Sequence, residues 1–169
     1  MITNIAILSA VSVLLVAAQT NLLWFMAIGG ALPDLALILL VYYAHHNGSF
    51  PGEIVGFVTG LALDTLGAAP LGFHALMYTA IGYAIGVSRR RVAFDPIFAP
   101  VLFVALSTLF KALVGFVLLA VFPVEVGFSG VISPRIGIEL GYNAILTPLI
   151  FALLGLIRPL RGERRSGAL

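Results

Sequence analysis

The chain has 169 residues, of which 61% are hydrophobic and only 9% are charged. A soluble domain carries roughly 25% charged residues, so this composition excludes a water-soluble globular protein and indicates an integral membrane protein. The net charge of +2 does not favour nucleic-acid binding, and the absence of cysteine excludes disulfides, a thiolate nucleophile and cysteine metal sites.

The first apolar segment, at about residues 5–28, is long enough to span a bilayer, because about 20 residues cross the hydrocarbon core. No lysine or arginine precedes it, so we interpret it as a retained helix rather than a cleaved signal peptide. Gly29 and Gly30 end this segment. Pro33 and Asp34 are well placed to begin a second helix, since a carboxylate suits the positive end of a helix.

Segments 34–46 and 52–66 are both short for a span, so they form either two short spans or one re-entrant loop. The stretch that joins them, HHNGSFPGE, is polar. Leaving such a tip in the middle of the membrane would cost several kcal/mol. We therefore predict two short spans.

The remaining apolar segments are predicted at about residues 71–87, 96–122 and 134–157. With six spans, Arg89–Arg91 and the four arginines of the C-terminal tail lie on the same side, which the positive-inside rule assigns to the cytoplasm. Both termini are then cytoplasmic. The predicted architecture is one all-α membrane domain of six transmembrane helices, residues 1–157, followed by a basic cytoplasmic tail, residues 158–169.

Glycines recur every four residues in two neighbouring segments. They form one stripe in the third segment and another in the fourth: Gly52, Gly56, Gly60, Gly82 and Gly86. Such stripes let helix backbones approach closely in a membrane. The two segments therefore predict a hairpin around which the other helices pack. The stripes serve either this internal packing or the docking of a partner's transmembrane helix, and Gly137 and Gly141 repeat the same spacing.

Lys111 lies midway along the fifth segment, where a lysine costs roughly 3 kcal/mol and needs a partner. Asp64 ends the third segment and Glu139 begins the sixth, so we expect Lys111 to pair with one of these carboxylates. Asn143 lies one helical turn beyond Glu139 and completes the expected cluster. This cluster is either a polar site in the outer half of the bundle or a structural ion pair that fixes helix register.

No catalytic, cofactor or metal residues are predicted. His45 and His46 are adjacent and point in different directions on a helix, and His74 lies far from both in the sequence, so their spacing does not suit a metal site. The stretch from Gly127 to Gly130 matches the GxSG motif of intramembrane serine proteases. However, no histidine follows Ser129 to act as its base.

Several short motifs occur in an unusual order over nearly the whole chain. The main set consists of Pro33, Asp34, Asp64, Gly67, Pro70, Leu71, Gly72, Ala75, Leu76, Tyr78, Gly82, Tyr83 and Gly86, and the last segment adds Glu139, Tyr142, Asn143 and Pro148. In this order and spacing, the chain resembles the rod shape-determining protein MreD family.

This resemblance implies a non-enzymatic protein of the bacterial inner membrane that belongs to the cell-elongation machinery and needs no cofactor. The expected partner is the single-span protein MreC, and beyond it MreB, RodA and a penicillin-binding transpeptidase that together control peptidoglycan synthesis and rod cell shape.

The family is also similar in fold to the substrate-binding component of energy-coupling-factor transporters, so a vitamin or small-molecule uptake component is the alternative. Its outer pocket would be lined by Asp64, Lys111, Glu139, Tyr142 and Asn143.

Overall fold

The computed structural model describes residues 2–22, 27–67, 69–88, 98–121 and 134–157, and the described residues form six α-helices. These are α1 (Ile2–Leu22), α2 (Leu35–Asn47), α3 (Ser49–Leu66), α4 (Phe73–Ser88), α5 (Phe98–Val121) and α6 (Pro134–Leu156). The prediction of an all-helical protein is confirmed for the part of the chain that the structure describes. Among the described helices, three (α1, α5 and α6) are long and apolar enough to cross a membrane.

The shortest helix, α2, lies at the centre of the bundle. Its sequence LALILLVYY is apolar on every side, which suits either lipid or a protein interior, and its 13 residues are too few for an ordinary span, which favours the interior. Every residue from Ala36 to Ala44 is buried, and α2 contacts each of the other five described helices. The expectation that the bundle is built around the glycine hairpin is therefore wrong, because that hairpin packs on one side of α2.

Helices α3 and α4 form an antiparallel hairpin whose backbones touch at the glycines. Gly52 faces Gly82, Gly56 faces Tyr78 and Gly60 faces His74, so each step of four residues along α3 matches four residues back along α4. A Cβ placed on Gly52 would lie 2.7 Å from the carbonyl oxygen of Gly82.

All five glycines of the two predicted stripes are buried in this contact, and Gly86 packs against the backbone of Ser49. They are therefore occupied inside the chain and do not offer a docking face to another protein, which corrects one of the two interpretations of the stripes. Gly137 and Gly141 differ, because a Cβ on either would meet no described atom within 4 Å.

The contacts of α2 fix the directions of the last two helices. The backbone N–H of Asp34 donates to Asn143, and eight residues further along both helices the rings of Tyr42 and Phe151 meet at a centroid distance of 5.0 Å. Helices α2 and α6 are therefore parallel. The α5 helix runs the opposite way, since its later residue Lys111 contacts Asp34 while its earlier residue Phe103 contacts His45.

Candidate functional site

The candidate site is built around the start of α2, which lies inside the bundle. This helix has 13 residues and a length of about 20 Å, shorter than the hydrocarbon core of about 30 Å. The first N–H groups of a helix lack partners within the helix, and leaving them unpaired in an apolar interior is costly. Asp34 meets this need, because its Oδ1 accepts the N–H of Leu37 at 2.9 Å.

The cap places a carboxylate in the protein interior, where Asp34 is only 5% exposed. A buried charge is tolerated only when it is paired and hydrogen-bonded. The Nζ of Lys111, the only lysine in the sequence, donates to Asp34 Oδ2, and the hydroxyl of Tyr78 donates to the same oxygen at 2.6 Å. Lys111 also donates to Glu139 Oε1 at 2.9 Å, so one ammonium group is shared by two carboxylates.

Asn143 connects this ion pair to the backbone of α2. Its Oδ1 accepts the N–H of Asp34 at 2.9 Å, and its Nδ2 donates to the hydroxyl of Thr108 at 3.0 Å. Both ends of the fully buried amide are thus used. We call the resulting set of side chains the polar network: Asp34, Tyr78, Thr108, Lys111, Glu139 and Asn143. It joins α2, α4, α5 and α6.

The network lies well inside the length of the long helices and opens along one edge. Lys111 follows Phe98 by 13 residues on α5, and Asn143 precedes Leu156 by 13 residues on α6, so both lie about 20 Å from those helix ends. The side chain of Asp34 is 8% exposed, whereas those of Lys111 and Glu139 are 18% and 25% exposed. Glu139 therefore forms the outer edge of the network.

Asp64 is not part of the polar network, so the predicted alternative of a Lys111–Asp64 pair is wrong. Its carboxylate accepts the backbone N–H groups of Gly72, His74 and Ala75 at 2.8, 2.9 and 3.2 Å. It also lies 2.9 Å from Nδ1 of His74. The short turn after α3 brings the start of α4 back to Asp64, and the unpaired N–H groups there hold the carboxylate.

The structure brings together Lys111, Glu139 and Asn143 from the predicted cluster and adds Asp34, Tyr78 and Thr108. Asp34 was expected only as a helix cap. One signal pointed to its second role, because the apolar helix that it caps has only 13 residues, and so short a helix favours a start inside the bundle rather than at the membrane surface. A buried carboxylate needs a cation, and the sequence offers a single lysine within a span.

The three histidines make different contacts. His46 Nδ1 lies 2.8 Å from the carbonyl oxygen of Tyr42, the ring of His45 packs near Phe103, and His74 contacts Asp64. Within the described ranges, no group of three or more His, Cys, Asp or Glu side chains could hold a metal ion. The motif around Ser129, the arginines at 89–91 and the basic tail lie outside the described residues.

These helices and their internally paired charges define a class, the polytopic helical membrane proteins. A family model described as rod shape-determining protein MreD matches residues 1–157. The chain therefore belongs to the MreD family, a family of structural shape-determining proteins, and has a role in rod shape determination. No curated protein and no solved structure matches the chain.

Proposed function

We propose that the chain is a non-enzymatic scaffold of the cell-elongation machinery in the bacterial inner membrane. Its direct partner is MreC, and through MreC it acts on MreB, RodA and a penicillin-binding transpeptidase to help control peptidoglycan synthesis. The observation that carries this proposal is the match of the MreD family model to residues 1–157, which include all six described helices.

The distribution of polar groups supports a scaffold. The charges of the polar network pair with one another, and the exposed side chains of α5 and α6 are mostly apolar. The surface that α5 and α6 offer to other membrane proteins is therefore apolar. The large exposed apolar side chains on these two helices are Phe98, Leu106, Leu109, Phe110, Leu113, Phe116, Val117, Ile145, Leu149, Leu153 and Leu156.

The proposed topology has all six helices in the membrane and both termini in the cytoplasm. Six alternating spans require α2 and α6 to be parallel and α5 to be antiparallel to both. The contacts of Asp34 with Asn143 and of Tyr42 with Phe151 agree with this requirement. The arginines at 89–91 and those of the tail then share the cytoplasmic side.

Co-purification tests the partner. The affinity-tagged chain is co-expressed with MreC from the same bacterium and extracted in mild detergent, and MreC is expected to be retained. Tryptophan is then introduced at one exposed position on each of four helices, at Leu14, Leu76, Leu109 and Leu149. At least one variant should lose MreC while its melting temperature stays unchanged, which identifies the docking face.

Each variant is also tested for its ability to restore rod shape to cells that lack the native protein, and loss of MreC should accompany loss of rods. The proposal fails if the folded native chain retains no MreC. Recovery of a small molecule with the chain, in place of MreC, would support an uptake protein instead.

A further inference from the structure

The backbone hydrogen bonding of α6 is interrupted at Pro148, just beyond the polar network. Pro148 lies inside α6 and has no N–H, so the carbonyl of Ala144 lacks its usual donor within the helix. The hydroxyl of Thr147 donates to the carbonyl oxygen of Asn143, a contact that tends to bend helices. Bends in helices are concentrated at such positions.

Residues 134–147, before the proline, are attached to the body by two polar side chains and by apolar contacts, since Leu146 packs against the buried core and Ile138 lies beside Gly29. Asn143 bonds to Asp34, and Glu139 bonds to Lys111. On the other side of the helix, Gly137 and Gly141 are exposed and have no described neighbour that a Cβ would meet within 4 Å. Glycine is also a poor helix former, so this segment is weakly stabilised by its own backbone.

Residues 149–156, after the proline, are anchored differently. The ring of Phe151 packs edge-on against Tyr42 with centroids 5.0 Å apart, and Ile150 and Leu154 pack against the buried core. These apolar contacts do not depend on the polar network. The two parts of α6 are therefore attached differently, because the described polar contacts to the body all belong to the part before Pro148.

We propose that residues 134–147 of α6 form a gate that swings about Pro148 and is held closed by the Glu139–Lys111 ion pair. Opening separates Glu139 from Lys111 and uncovers Lys111 and the buried start of α2. Because Lys111 keeps its bond to Asp34, opening does not leave an unpaired charge in the interior. Opening also leaves Glu139 without its cation and breaks the two side-chain hydrogen bonds of Asn143, so the closed state predominates in the native chain.

Distance measurements between spin labels test the gate, and the chain suits them because it has no native cysteine. One labelled pair, Gly141→Cys with Leu76→Cys, reports on the gate, and a control pair, Leu153→Cys with Tyr83→Cys, reports on the anchored part. The three replaced side chains Leu76, Tyr83 and Leu153 are 72%, 54% and 55% exposed, so the labels do not disturb the core.

Glu139→Gln keeps the side-chain shape but removes the charge that pairs with Lys111. Position 141 lies seven residues before Pro148, about 10 Å, so a bend of about 20° moves it by about 3 Å. We expect Glu139→Gln to shift or broaden the gate distance by at least that amount and to leave the control distance unchanged. Adding Pro148→Ala should abolish the shift.

An unchanged gate distance in Glu139→Gln, equal movement of both pairs, or a shift that persists with Pro148→Ala would overturn the gate. If Glu139→Gln also loses the control distance, the variant is misfolded and Pro148→Ala alone decides. In that case, a distribution of gate distances in Pro148→Ala that is narrower than in the native chain supports the proposal, and an unchanged distribution refutes it.

Discussion

The α3–α4 hairpin and the α5–α6 pair solve the problem of helix association in a membrane in different ways. In the hairpin, five glycines bring two backbones into contact along a constant register. In the α5–α6 pair, glycines are left open, and the polar network attaches both helices to α2. The first contact depends on backbone shape and the second on the chemistry of a few side chains.

This difference follows from the solvent. Lipid tails are as apolar as leucine, so burying apolar surface does not by itself drive two helices together in a membrane. Close packing and polar contacts remain, and the two regions each use one of them. A steric change should therefore damage the hairpin, and a change of charge should damage the α5–α6 attachment.

The largest effect is expected for Lys111→Met in the polar network. This change leaves Asp34 and Glu139 without their cation, and breaking a buried ion pair costs about 3–5 kcal/mol. Thermal or denaturant unfolding of the purified protein measures the loss. The matched control is the neutral triple variant Asp34→Asn, Lys111→Met, Glu139→Gln, which should recover most of the stability. If the triple variant is as unstable as Lys111→Met, packing rather than charge holds this region.

A slightly smaller effect is expected for Gly56→Leu in the hairpin. The added Cβ would overlap the backbone carbonyl of Tyr78, which cannot move without separating α3 from α4. Overpacking of this kind costs about 3 kcal/mol. Gly141→Leu is the control, since a Cβ at that position meets no described atom within 4 Å and leucine is the better helix former, so the change should leave the melting temperature unchanged or slightly higher. Equal losses in the two variants would contradict the distinction between closed and open glycines.

The helices and the hairpin were largely predictable from the sequence, because long apolar runs and glycines at four-residue spacing are local signals. The glycine contacts of α3 and α4 join neighbouring segments, so their antiparallel pairing follows from a short turn. The choice of carboxylate for Lys111 was not predictable in this way. Asp34 and Lys111 are 77 residues apart, and their contact depends on how α2 and α5 are rotated against each other.

Asp64, the carboxylate that does not pair with Lys111, also shows that charge pairing could not be predicted from the sequence. As a carboxylate at the end of an apolar segment it was a reasonable partner for Lys111, yet the N–H groups of the next helix lie much nearer. The central position of α2 was also missed, although the short length of this apolar helix favoured burial. Local patterns thus identified the elements, while the pairing of charges depended on tertiary geometry.

Asp64→Asn tests whether the hairpin also depends on a charge at its turn. An amide has one acceptor oxygen and no charge, so it cannot replace a carboxylate that accepts three backbone N–H groups at the start of α4. We expect a loss of about 2 kcal/mol, at the upper end of the range for a helix cap. Hydrogen exchange should accelerate at residues 72–75. Exchange at Leu37, which Asp34 caps, serves as the internal control and should not change.

The smallest effects are expected for two glycines that have open space around them, one in a turn and one in a helix. Gly72 has a φ of 97°, and a Cβ added there would meet no described atom within 4 Å, so Gly72→Ala carries a pure backbone penalty of about 1 kcal/mol. Gly137 lies in α6 with equally open space and without a positive φ, so Gly137→Ala should stabilise the helix by up to about 1 kcal/mol. Melting temperatures of both variants, measured in the same detergent, give the comparison. If Gly137→Ala instead destabilises the protein, the start of α6 is closely packed in the purified protein, and its glycines serve close helix packing like those of the hairpin.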